Sequence, residues 1–172
     1  MPPRSPLPFD PIVEATKNWT DVGWSEFADG MALVTSIMRA QQLLLARIDV
    51  ILVPFELTFA RFEVLMLLSF SRKGELPLGK IGQRLQVHPA SVTNAIDRLE
   101  SGGFVTRVPH PFDGRTTLAS ITDHGRDVAS AAAERLNTAV FGRNELTTDE
   151  IRSVIDAIAK LRAAAGDFTV AD

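Results

Sequence analysis

Apolar residues spaced three and four apart recur along this chain, and most such stretches are bounded by a capping residue, a proline or glycines. After Ser25, a plausible N-cap, the stripe Phe27, Met31, Val34, Met38 and Leu45 predicts a long helix ending near Asp49. Leu43, Leu44, Ile48 and Ile51 give that helix a second apolar face, so it is expected to pack both on its own chain and on a partner. A short helix is expected before it, from Ile12 to Asn18. The prolines at Pro2, Pro3, Pro6, Pro8 and Pro11 predict an extended or disordered arm at the start. Pro54 breaks the chain, and Thr58 then caps a stretch from Phe59 to Phe70 that is apolar nearly all round, as a core helix should be. Towards the other end, Thr122 caps an alanine-rich helix running to Gly142. The capping box Thr147-Thr148-Asp149-Glu150 opens a last helix carrying Ile151, Val154, Ile155, Ile158 and Leu161 on one side.

Between these helices the pattern changes twice. Leu78, Ile81 and Leu85 share one face of a short helix, and Gln86-Val87-His88 reads as a turn. Pro89 suits the first position of a second helix, which carries Val92, Ile96 and Leu99 at helical spacing and ends at Gly102-Gly103. Phe104 to Val108 has strand composition, Pro109 to Gly114 is rich in turn formers, and Thr116 to Ile121 returns as a second strand. The connection reads as too long for a two-residue turn. Helix, turn, helix and ribbon in that order form a winged helix-turn-helix. Its second helix exposes Ser91, Thr93 and Asn94, which can exchange hydrogen bonds with base edges, and Arg98 for a base or a phosphate. Arg115 on the ribbon can reach a minor groove or a phosphate, and Asp113 stands close enough in sequence to hold its guanidinium.

Charge sharpens this picture. The net charge of the 172-residue chain is -3, but Arg72 to Arg126 holds eight basic residues against five acidic ones, a local +3 that leaves -6 elsewhere. Positive charge therefore concentrates on the expected DNA reader, as phosphate contact requires. There is no cysteine, which excludes disulfides and thiol sensing. No apolar run approaches a membrane span and the start lacks the blocks of a signal peptide, so no membrane role and a cytoplasmic location are expected. His88, His110 and His124 lie far apart without ligand spacing, so neither metal nor cofactor is expected, and no catalytic constellation marks an enzyme.

Asp113-Gly114-Arg115 followed by Ile121-Thr122 and Gly125 resembles the wing signature of the MarR family of bacterial transcription regulators, and Val92 to Glu100 resembles its recognition helix. The resemblance covers roughly Ala28 to Leu161. It implies an obligate homodimer, a pseudo-palindromic operator, and repression relieved by a small ligand or by oxidation; the missing cysteine removes the peroxide-sensing branch. By the same resemblance Arg115 is the wing-tip arginine, Asp113 its salt-bridge partner, and Ser91, Thr93 and Asn94 lie where family members touch bases. Thr116 departs from the second acidic residue often found after the arginine.

The expected architecture is mostly α with a small β-wing. It comprises a Pro-rich arm and short extra helix (1–24), an N-terminal dimerisation helix (25–56), a winged helix-turn-helix lobe (57–122) and C-terminal dimerisation helices (123–172). The expected DNA-binding set is Lys80, Arg84, Pro89, Ala90, Ser91, Thr93, Asn94, Arg98, Arg107, Asp113 and Arg115. A small aromatic or apolar ligand is expected against Trp24, Phe27, Met31, Phe55, Phe62 and Met66. Two readings from other classes stay open, a ligand-insensitive architectural DNA-binding protein and a winged-helix module that binds protein.

Overall fold

A computed structural model describes residues 6–143 and 145–169, in two compact units, 1–47 and 48–172. The division falls inside a long helix. The first unit holds α1 (Pro11–Asp21) and most of α2 (Ser25–Leu52). Asp10 caps α1 by accepting from the Ile12 N–H at 2.8 Å, with Pro11 at the first helical position, where a missing N–H costs nothing. Pro11 is therefore part of a helix and not of an extended arm. The arm expected over Pro2 and Pro3 lies outside the described residues.

The second unit begins with the last residues of α2 and a 3-10 turn at Val53–Phe55, where Pro54 stops the helix. It continues through α3 (Phe59–Ser69), β1 (Glu75–Pro77), α4 (Leu78–Leu85), α5 (Pro89–Ser101), β2 (Val105–His110), β3 (Asp113–Ile121), α6 (Asp123–Leu136) and α7 (Thr148–Ala164). The caps expected at Thr58, Thr122 and Thr147 are formed, whereas Ser25, expected to cap α2, is its first helical residue. Thr58 accepts from the Arg61 N–H, Thr122 from the Gly125 N–H at 2.9 Å, and Thr147 and Glu150 close a reciprocal capping box. Between α6 and Gly142 the alanine-rich helix widens into a π-type turn, Asn137–Phe141, in which the Gly142 N–H bonds the Asn137 carbonyl five residues back.

The sheet is antiparallel in the order β1-β3-β2. The ribbon expected to be two-stranded has a third strand, because Glu75, Leu76 and Pro77 pair with Ser120, Ala119 and Leu118. The hairpin also closes more tightly than its turn formers suggest. His110 pairs with Asp113, so the turn is only Pro111-Phe112, and the surplus residues 114–116 bulge from β3. One core runs through this unit. Leu65 and Leu68 of α3, Ile81 of α4, Ile96 and Leu99 of α5, Ala119 of β3 and Leu136 of α6 are fully buried in it, together with Leu52. Ile48 and Leu52 belong to that core, so the tail of α2 packs with the lobe, ahead of the boundary expected at residue 57.

Two glycines fix where the wing starts and ends. Gly103 takes a φ of +74°, a left-handed conformation that side chains disfavour, and so turns the chain out of α5 into β2. Its neighbour Gly102 remains in the right-handed region. At Gly125 a Cβ would stand 2.1 Å from the Phe104 carbonyl oxygen, so the start of α6 can cross the start of the wing only without a side chain there.

Candidate nucleic-acid interface

The helix α5 is built to present one polar face. His88 is its N-cap, and the imidazole Nδ1 accepts from the Ala90 N–H at 3.2 Å. Val92, Ile96 and Leu99 are buried on the side facing the core. Pro89, Ala90, Ser91, Thr93, Asn94 and Arg98 are exposed, so each residue expected on the reading face stands in solvent. The Thr93 hydroxyl donates to the Pro89 carbonyl at 3.1 Å, which turns its oxygen inward while leaving its methyl group and lone pairs available. Beside this face a groove of about 490 Å³ runs between α5 and the start of α3, lined by Thr58, Ala60, Arg61, Ser91, Asn94, Ala95 and Arg98.

The wing stands next to α5 and is tied to it. Arg107 of β2 sends one guanidinium nitrogen to Asp97 at 2.5 Å and another to Glu100, and its backbone N–H donates to Glu100 Oε1 at 3.0 Å. Half-burial works against the guanidinium charge, but the hydrogen bonds from Asp97 and Glu100 outweigh it and hold Arg107 firmly protonated. Arg107 was expected to meet DNA. In this chain its guanidinium fastens the wing to α5 and offsets one of the two carboxylate charges that would repel phosphate. Asp97 and Glu100 are thus working residues that sequence reading passed over; three apart on one helix, they share a row facing the strand that follows.

Asp113 also differs from its expected role. Its carboxylate accepts from the Arg115 backbone N–H at 3.0 Å and from the Thr116 hydroxyl at 2.7 Å, and among the described residues it makes no ion pair with the guanidinium. The Thr116 hydroxyl, then the Arg115 N–H, hold the Asp113 carboxyl below the usual aspartate value. Asp113 shapes the bulge that carries Arg115, and Thr116 takes up the second carboxylate oxygen. Arg115 itself is exposed.

Below the wing, a groove of about 520 Å³ separates the hairpin from α4 and the α3–β1 turn. Arg72, Lys73, Lys80, Arg84 and His110 line it, against the carboxylate of Glu75. Among the described residues none of Lys80, Arg84, Arg98 and Arg115 has an ion-pair partner. Unpaired cations on one lobe are the arrangement that attracts and positions a polyanion.

The aromatic set expected to line a ligand cleft is divided. Phe62 is 6% exposed and lies in the core, with Phe55 and Met66 packed against that core, so Phe62 does not line an open pocket. Trp24 and Phe27 are exposed and Met31 is half-buried; the Trp24 ring meets Trp19 edge to face at 5.1 Å. Among the described residues no cluster of histidines and carboxylates has the makings of a metal site, and no helix is long and apolar enough to cross a membrane.

The chain matches the family model of MarR over residues 57–117, from the start of the lobe into β3. An HTH-type transcriptional regulator of Mycobacterium bovis is 36% identical over 103 residues, covering 55% of this chain and 69% of that protein. The crystal structure of a MarR family transcriptional regulator from Streptomyces coelicolor is 51% identical and superposes with a TM-score of 0.75, over 81% of this chain and 97% of that one. A second regulator of that family from the same organism, solved in complex with DNA, shares the fold at 24% identity with a TM-score of 0.71, over 80% of this chain and 88% of its own. By the family match, the identity with these relatives and the shared fold, this chain belongs to the MarR family of winged helix-turn-helix transcription regulators.

Proposed function

We propose that the protein is a homodimeric, cytoplasmic repressor that reads a pseudo-palindromic operator and releases it when a small aromatic or apolar ligand binds. One observation carries the DNA reading: the exposed polar face of α5 stands beside a wing and a groove that carry Lys80, Arg84 and Arg115, which among the described residues have no ion-pair partner. In this reading Ser91, Thr93 and Asn94 meet base edges in the major groove, with Pro89 and Ala90 at the helix start close to the backbone. Arg98, Lys80 and Arg84 hold phosphates, and Arg115 reaches the adjacent minor groove. Arg107 and Asp113 serve by holding the wing and its bulge in position.

The dimer reading is supported by apolar surface that water should not keep. Val34, Met38, Leu43 and Leu44 on α2, and Val154, Ile155, Ile158 and Leu161 on α7, are all at least one-third exposed in the single chain. Residues 25–56 and 123–172 are accordingly the dimerisation segments and 57–122 the DNA-reading lobe, and a two-fold pair of lobes suits half-sites about one helical turn apart. Relief by a ligand rests on family membership and on the exposed Trp24 and Phe27. A protein that acts in this way is a regulator and not an enzyme.

The test is selection of genomic DNA fragments by the purified protein at near-physiological salt, with Arg115→Ala alongside. Recovery of one shared pseudo-palindrome by the wild type, and weaker recovery by the variant, is the expected result. Fragments with no common sequence would favour an architectural DNA-binding protein, and failure to retain any duplex at low salt would favour a module that binds protein.

A further inference from the structure

Pro111-Phe112 is the outermost point of the β2–β3 hairpin, since His110 and Asp113 are the last pair of its ladder. Phe112 is 93% exposed there, the highest value for a large apolar side chain among the described residues. A turn needs no aromatic ring, because short polar residues and glycine serve it better, so folding does not account for Phe112. The ring is nonetheless set in place. The Phe112 N–H donates to His110 Nδ1 at 3.3 Å, and the two rings meet edge to face with centroids 6.3 Å apart. On its other side the Asp113 carboxylate pins the backbone of Arg115 and the hydroxyl of Thr116. An apolar ring thus projects from a preorganised tip, above a groove rimmed by Arg72, Lys73, Lys80 and Arg84 and beside the exposed Arg115.

We infer that Phe112 is an apolar minor-groove contact, its ring packing against the deoxyribose walls of the groove that flanks the half-site while the basic groove beneath it holds the phosphate strand. The inference rests on the DNA-binding reading above and extends it from cations to an uncharged residue. Three features point to DNA as the occupant. The tip is continuous with the cation-bearing wing and α4, the surrounding charge is complementary to a phosphate backbone, and the minor groove is a place that apolar side chains, Phe among them, are known to enter. Because the tip is already fixed, little conformational freedom is lost when it docks.

Burial of a ring and neutralisation of a phosphate differ in their response to salt, and that difference is the test. Affinity of the wild type, Phe112→Ala, Phe112→Leu and Arg115→Ala for the selected operator would be measured by fluorescence anisotropy over a salt series. Phe112→Ala should weaken binding about tenfold at every salt concentration, with an unchanged slope of log affinity against log salt. Phe112→Leu should stay within about threefold of wild type, and Arg115→Ala should weaken binding as the wing control. The thermal midpoint of Phe112→Ala should equal that of wild type, because the ring leaves no cavity. Affinity of Phe112→Ala within about twofold of wild type while Arg115→Ala is impaired would overturn the contact and leave the DNA reading standing, as would a loss that changes the salt slope. A wild-type chain that binds no duplex would overturn the DNA reading and this contact with it.

Discussion

Helices α5 and α7 have the same kind of apolar stripe and opposite fates. On α5, Val92, Ile96 and Leu99 are buried against α3, α4 and the sheet, leaving a polar face toward solvent. On α7, Val154, Ile155, Ile158 and Leu161 repeat the pattern over a longer helix, yet no residue of α7 is buried. Periodicity shows that a stripe must be covered. It does not show whether the cover comes from the same chain. The difference is one of cover: α5 packs on a core of its own chain, whereas the stripes of α7 and α2 stay exposed, and the proposed dimer is what would cover them.

The sharpest way to break this contrast is to remove a methyl cluster from each helix. Leu99→Ala, which opens a cavity beneath the recognition helix, should cost about 2–5 kcal/mol in a denaturant titration, independent of protein concentration. A concentration-dependent loss would mean that the core of α5 is not self-contained. Next in size is Gly125→Ala, where the new methyl group meets backbone that cannot move cheaply; about 1–3 kcal/mol of stability should be lost, read as a lower thermal midpoint, with the wing loosened where it meets α6. An unchanged midpoint would show that this crossing has slack.

Ile155→Glu addresses the other helix. Its effect on unfolding of the lobe should be small, but sedimentation should show the dimer dissociating at concentrations at least about tenfold higher than for wild type. Equal association by variant and wild type would remove α7 from the interface. The smallest effect concerns Glu63 on α3, whose carboxyl is raised above its ordinary value by burial. Burial favours the neutral form, so the folded chain keeps this proton at a pH where the unfolded chain has released it. The resulting stability is present at low pH and lost as pH rises from the ordinary glutamate range through the raised value. Glu63→Gln should therefore equal or exceed wild type in stability at neutral pH, with the advantage shrinking as pH falls; an advantage that grows on acidification would contradict the assignment.

Much of the reading head was legible because local signals agreed there. Pro89, the Val92-Ile96-Leu99 row and Gly102-Gly103 each mark a boundary or a face of α5 that the structure keeps. The signal failed where a partner lay across space. Glu75-Leu76-Pro77 is too short to announce a strand and becomes one only by pairing with β3. Pro109, Pro111 and Gly114 looked like one long loop, but pairing continues past Pro109 and gathers the excess into a bulge. The pairing of Arg107 with Asp97 and Glu100 was not legible, since no sequence rule shows that those carboxylates stand opposite it. Phe62 looked like a ligand-facing aromatic and is core, because a helix that is apolar all round does not say which side is open.

The contrast between a finished reading head and an unfinished dimer face meets most directly in the number of chains on one operator. Sedimentation equilibrium on the selected duplex, with a half-site duplex beside it, would count them. Two chains should bind the full site cooperatively, with affinity for the half-site lower by orders of magnitude and Ile155→Glu weakened on the full site alone. One chain bound to either duplex with equal affinity would contradict the account.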